Sequence, residues 1–196
     1  NNGTGEIINP VKRYFNDIDG GEWYASNIFE LKKRGIIDGD DDGNFRPGSM
    51  ITRAEFVKLI VELLKIKDNE VECNFTDVDK DAWYYPYVAS ALKFNIVNGM
   101  GDGSFGTNLN IKRQDMAVMA AAAIELSKEL EIEYMNKFVG KTVEVLTENN
   151  KDDITYGHTG NFLHVKINKV LPNDLLKMVK ITSVSYPYVI GELIDE

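Results

Sequence analysis

Shifted by 60 residues, the chain matches itself without a gap from Phe15 to Phe56. This duplication constrains the fold more than any other feature. A unit repeated at such a period is one supersecondary element, which buries its apolar face against its neighbour. Phe15, Asp17 and Asp19 fall on Phe75, Asp77 and Asp79, and Trp23-Tyr24 falls on Trp83-Tyr84. Ile36 and Gly39 fall on Ile96 and Gly99, while Asp42, Gly43 and Phe45 fall on Asp102, Gly103 and Phe105. Ile51 and Arg53 fall on Ile111 and Arg113. Both tryptophans of the chain occupy one repeat position.

Each unit reads as helix, loop, helix. Asp19-Gly20-Gly21 is a turn, after which Tyr24, Ile28 and Leu31 follow helical spacing. Gly35 stops this helix, since glycine tolerates the left-handed conformation that closes one. Asp38 to Gly48 is a loop rich in Asp, Gly and Asn. Thr52 opens the second helix, and Thr52 to Glu55 fits a capping box. Phe56, Leu59, Ile60, Leu63 and Leu64 give one apolar stripe, which Met116, Met119, Ala120, Ala123 and Ile124 repeat. Asp17/Asp19 and Asp77/Asp79 are expected to shape the turn and cap the first helix of each unit. Lys112 stands where Thr52 stood, so Asn110 is an alternative cap for the second unit.

These segments resemble the S-layer homology family. The carriers are FNDIDGGEWY, GIIDGDDDGNFRP and MITRAEF in the first repeat, and FTDVDKDAWY, NIVNGMGDGSFG and IKRQD in the second. The family's most specific signature, ITRAE, is complete from Ile51 to Glu55. The resemblance implies a three-lobed bundle whose grooves bind secondary cell-wall polymers, often through a terminal pyruvylated sugar. The chain departs from the family in two ways. It has two modules where three are usual, and Lys112, Gln114 and Asp115 replace Thr, Ala and Glu of the signature. A further module or a partner chain would complete a groove.

The resemblance implies that Arg53 is a ligand contact, and Arg113 by inheritance. At the positive end of a helix dipole, a guanidinium can grip a carboxylate such as a pyruvyl ketal in bidentate fashion. Arg53 is expected to be an exposed first-turn residue. Trp23 and Trp83 can offer flat faces to a sugar ring or plug the core. Thr52 and Glu55 belong to the same candidate site, although capping explains both.

The last third changes character. Ser127 to Lys137 continues a charged helix; then Val143 and Val145, and Leu163, Val165 and Ile167, alternate as strands do. Met178 to Ile181 and Val189 to Leu193 are further strands, with Gly140, Gly157-His158, Pro172-Asn173 and Pro187 as punctuation. Short strands so spaced predict a small β-barrel. NKFVGKTVEVLTE, YGHTGNFLHVKI and YVIGELI resemble the TRAM domain of radical-SAM tRNA methylthiotransferases, a barrel that grips tRNA. Lys141, His158, Phe162 and Lys166 are its candidate RNA-binding residues, although the pattern favours Phe162 as core and the lysines as solvated. The barrel segment carries a net charge of −2 and the first 137 residues −7, a poor match to nucleic acid.

The expected architecture is α+β and multidomain: mainly helical helix-loop-helix repeats followed by a small β-barrel. An N-terminal extension spans 1–14, modules 15–70 and 71–126, a linker helix 127–137 and the barrel 138–196. No enzyme, cofactor or metal is expected. Cys73 is the only cysteine, whereas a radical-SAM cluster needs three. Asp38, Asp40, Asp42 and Gly43 begin like an EF-hand, but Ser49 stands where the bidentate glutamate is needed. Gly101, Gly103 and Gly106 fit G-x-G-x-x-G without the strand a dinucleotide site requires. The function expected is anchoring to a bacterial cell wall, with cell-surface localisation. The alternative is a tRNA-binding accessory protein in the cytoplasm. No signal peptide is visible, and the first residue is Asn rather than Met, so the chain reads as processed or as a fragment, which leaves room for a leader upstream.

Overall fold

The structure is a computed structural model that describes residues 14–194; most of the expected N-terminal extension lies outside them. The chain divides into two compact units, 1–124 and 125–196.

In the first unit each module opens on a tight turn and a short helix, α1 (Ala25–Lys33) and α3 (Tyr85–Lys93). Gly35 ends α1 at φ +72°, and Asn95, one of the few side chains that tolerate this region, ends α3 at φ +56°. A backbone N–H then closes each end, from Ile36 to the Leu31 carbonyl and from Ile96 to the Ala91 carbonyl, both at 2.9 Å. The second helices are α2 (Arg53–Leu64) and α4 (Arg113–Asn136). Thr52 caps α2 with a full capping box, its hydroxyl accepting from Glu55 N–H while Glu55 accepts from Thr52 N–H.

Four expectations are corrected here. The modules are loop-rich rather than mainly helical, with helices of only 9 and 12 residues in the first. The buried face of α2 is Arg53, Ala54, Val57, Ile60 and Val61; of the predicted stripe only Ile60 is fully buried, Leu59 packs partly against the core and Leu63 is exposed. The apolar arc of this helix is wide enough that spacing alone does not fix its centre. Asp17 and Asp77 do not cap the first helices. They accept backbone N–H groups almost thirty residues downstream, from Phe45 and Arg46 to Asp17 and from Phe105, Gly106 and Thr107 to Asp77. Finally, α4 unites the expected linker helix with the second helix of module two.

Phe15 and Ile18 anchor a core with Ala25, Ile28, Ile36 and Ile37. The repeated glycine is explained by close approach. A Cβ at Gly39 would collide with the Phe15 ring, and one at Gly99 would lie 2.7 Å from Phe75 Cε1 and 2.8 Å from the Ser104 carbonyl oxygen.

The second unit holds a closed barrel of β1 (Thr142–Lys151), β2 (Ile154–His158), β3 (His164–Ile167), β4 (Leu176–Ser185) and β5 (Tyr188–Leu193). Neighbours run β1-β2-β3-β5-β4; β3 and β5 are parallel and the other pairs antiparallel. Val145, Val165, Ile167, Val179, Ile181 and Val189 fill it, with Met135 of α4 packed among them. Thr155 and Thr147 are buried but satisfied: their hydroxyls donate to the carbonyls of Lys169 (2.7 Å) and Pro172 (2.8 Å).

Candidate functional site

The signature segment of module one lies along module two. Arg53 N–H donates to the Leu109 carbonyl (2.9 Å), Ala54 N–H to the Thr107 carbonyl (3.3 Å) and Ile111 N–H to the Ile51 carbonyl (3.1 Å). The pairing positions the Arg53 side chain inside the unit. Arg53 is only 5% exposed, which corrects the expectation of a solvated first-turn arginine. Its Nε donates to the Phe105 carbonyl (2.9 Å), and Nη1 meets the Asp115 carboxylate at 3.0 Å. Nη2 reaches the Asn98 carbonyl at 3.5 Å, and the guanidinium sits 4.9 Å from the centre of the Phe105 ring. Arg53 is therefore a latch between modules. Asp115, the residue that departs from the signature, is what receives it.

Asp77 holds the loop that carries these acceptors. Burial alone would raise its pKa, but the N–H groups of Phe105, Thr107 and Gly106 outweigh burial and bring it below the usual value of 3.8. A lowered carboxyl pKa adds stability that is present above the ordinary range and is lost as pH falls through the folded value. Asp77→Asn is therefore expected to lower the thermal midpoint at about pH 6, with the gap to the parent closing by about pH 2–3. Thermal unfolding of both proteins across that range measures it.

A cavity of about 540 Å³ opens on module one, walled on one side by Trp83 of module two. Its floor is apolar, with Leu31, Ile36, Phe45 and Leu59, and its rim carries Asp38, Asp40, Arg46, Glu55 and Lys58. Arg46 is paired with Asp40 and lies 3.4 Å from Asp42. Lys58 bridges the two modules. Its ammonium is 3.5 Å from Asp38 and 6.0 Å from the ring centres of Trp83 and Tyr87. Beneath it Tyr87 donates to Glu62 (2.8 Å), and burial together with that carboxylate pushes the phenol up to about 12.

Of the predicted residues, Glu55 and Trp83 line the cavity. Thr52 is engaged with Glu55, and Arg113 is exposed. Trp23 is 87% exposed and Trp83 53%, so neither is a core plug. Trp23→Ala is expected to change stability by no more than about 0.5 kcal/mol, read from denaturant midpoints. Sequence reasoning missed Lys58 and Arg46. Lys58 carries no signal beyond its place on a helix, and Arg46 sits in a loop that reads only as a turn.

In the second unit Phe162 is 78% exposed and not core. It is held at φ +62° in the turn after β2 and stacks on His158, with ring centres 5.9 Å apart and planes 6° from parallel. Lys166 lies 4.2 Å from the Tyr188 ring centre, whereas Lys141 lies over Phe138. The barrel thus brings together His158 and Phe162; Lys141 makes no contact with either among the described residues.

The S-layer homology domain model matches residues 14–57 and 74–117. Similar proteins include the S-layer protein sap of Bacillus anthracis, 30% identical over 144 residues, covering 71% of this chain and 17% of that protein. The surface-layer 125 kDa protein of Lysinibacillus sphaericus is 35% identical over 116 residues, 59% of this chain and 10% of its own. An amylopullulanase of Thermoanaerobacterium thermosulfurigenes is 34% identical over 128 residues, 65% of this chain and 7% of its own. The chain thus spans less than a fifth of the length of each of these relatives.

Proposed function

We propose that the two S-layer homology domains attach this chain non-covalently to a bacterial cell wall by binding its secondary polysaccharide, at the cavity that Trp83 walls. The domain matches and the surface-layer relatives support attachment at the wall. The observation that carries the site is the half-exposed Trp83 indole beside the Lys58 ammonium, over an apolar floor. An aromatic face packs on the C–H face of a sugar ring, while the Lys58 ammonium beside the indole offers a cation to an acidic substituent such as a pyruvyl ketal. Arg53 supports this site by holding module two, and so Trp83, in place. The role proposed is binding rather than catalysis. The unit is acidic, so affinity comes from these local groups and not from long-range attraction.

Titration calorimetry with purified wall polymer tests this reading. Trp83→Ala is expected to weaken binding by about tenfold or more, equivalent to at least about 1.4 kcal/mol, and Trp23→Ala to leave it unchanged. Equal affinity for Trp83→Ala and the parent would remove the cavity from the site.

A further inference from the structure

The barrel gathers several of its ring side chains on one outer face. Along β2, β3 and β5 the alternate residues Thr155, Gly157, Val165, Ile167, Val189 and Gly191 are buried and point inward. Tyr156, His158, His164, Lys166 and Tyr188 therefore share the outer side. Register brings them together, with Tyr156 opposite Lys166 and His158 opposite His164. The Tyr156 and Tyr188 rings meet edge to face at 5.5 Å, and His164 meets Tyr188 at 6.1 Å. Phe162 extends the face from the turn between β2 and β3, stacked on His158.

Two features set this face apart from ordinary strand surface. Phe162 keeps a large ring in water on a left-handed backbone, which bulky side chains rarely adopt and which clusters at ligand clamps. Thr159 enforces it: its carbonyl accepts from Phe162 N–H (2.9 Å) and its hydroxyl from Leu163 N–H (3.0 Å). The second feature is Lys166. Its ammonium lies 4.2 Å and 5.6 Å from the ring centres of Tyr188 and Tyr156, and it has no carboxylate partner among the described residues. His158, by contrast, is turned to Glu148 at 3.1 Å.

The module cavity has the same chemistry, an ammonium beside two aromatic rings, in Lys58 with Trp83 and Tyr87. We propose that the outer face of β2, β3 and β5 is a second contact for the acidic wall polysaccharide, so that one chain holds the polymer at two places. The identity of the ligand rests on the polysaccharide reading above. Tyr156 and Tyr188 offer ring faces to sugar C–H groups and phenol groups to sugar hydroxyls, while Lys166 meets an acidic substituent. Phe162 adds a platform beside them. Linked contacts raise the overall affinity for a polymer above that of either alone. A single-stranded nucleic acid fits less well. It brings a phosphate with every nucleotide, and this barrel segment has a net charge of −2. A protein partner fits less well too, since lysine is depleted at the centre of protein interfaces.

Calorimetry of the full chain with short oligosaccharides of the purified secondary polymer, acidic substituents intact, tests the second contact. The parent is expected to bind two per chain. Lys166→Gln is expected to weaken one site at least about tenfold, and Trp83→Ala to weaken the other. Phe162→Ser, at an exposed ring, is a second barrel variant with the same expectation as Lys166→Gln. Thermal midpoints equal to the parent's verify the fold of both. One oligosaccharide per chain, lost in Trp83→Ala and untouched by the barrel variants, overturns the barrel site and leaves the cavity standing. Binding that depends on Lys166 but not on Trp83 supports the barrel and removes the cavity. No binding by the parent overturns both. A single-stranded oligonucleotide that displaces the sugar from the barrel site overturns the choice of ligand.

Discussion

Arg53→Ala is expected to destabilise the first unit by about 3 kcal/mol, the low end for breaking a buried ion pair because Asp115 retains some contact with water. The substitution removes the donors to the Phe105 carbonyl and the Asp115 carboxylate and the cation above the Phe105 ring. It leaves a half-buried carboxylate and the buried Phe105 carbonyl without their partner, which is why the loss exceeds that of an ordinary hydrogen bond. Arg113→Ala, at the equivalent position of the second repeat, is expected to stay within about 0.5 kcal/mol. Urea unfolding of the two variants separates these outcomes. Similar midpoints for both would mean that Arg53 is not a latch. A double cycle with Asp115→Ala should show coupling of about 1 kcal/mol or more.

Gly157→Ala is expected to cost the barrel about 3 kcal/mol, the upper end for overpacking. Gly157 pairs with Thr147 on β1 and Val165 on β3. A Cβ there would run into the Leu146 carbonyl oxygen and come within 2.9 Å of Val145 Cγ1. A backbone atom cannot rotate aside as a flexible side chain can, so β1 and β2 must separate. Gly160→Ala, where a Cβ meets nothing, is the matched control and should be close to neutral. Circular dichroism at strand wavelengths during thermal unfolding measures both.

Gly157 also shows where sequence reading reaches its limit. As part of a Gly-His pair it reads as punctuation, so β2 went unrecognised while the strands on either side were found. Glycine marks a turn or a close approach, and only the neighbouring strand distinguishes them. The helix-loop-helix units, the capping box at Thr52 and the stop at Gly35 were legible, because each depends on contacts a few residues apart. The Asp17 and Asp77 clamps were not, because their partners lie about thirty residues downstream. The site divides in the same way. The repeat marked Arg53 and Trp83 as special, and local pattern could not tell a buried latch from an exposed contact. Arg53 is buried by the other module, and burial of that kind has no signature within its own helix.

Co-sedimentation with peptidoglycan sacculi, before and after acid extraction of the secondary polymer, tests attachment to the wall most directly. Bulk tRNA is added as a competitor. Chain that pellets with intact sacculi, stays in solution with extracted ones and ignores tRNA is the predicted result. Chain that pellets equally with extracted sacculi, or is released by tRNA, would contradict it.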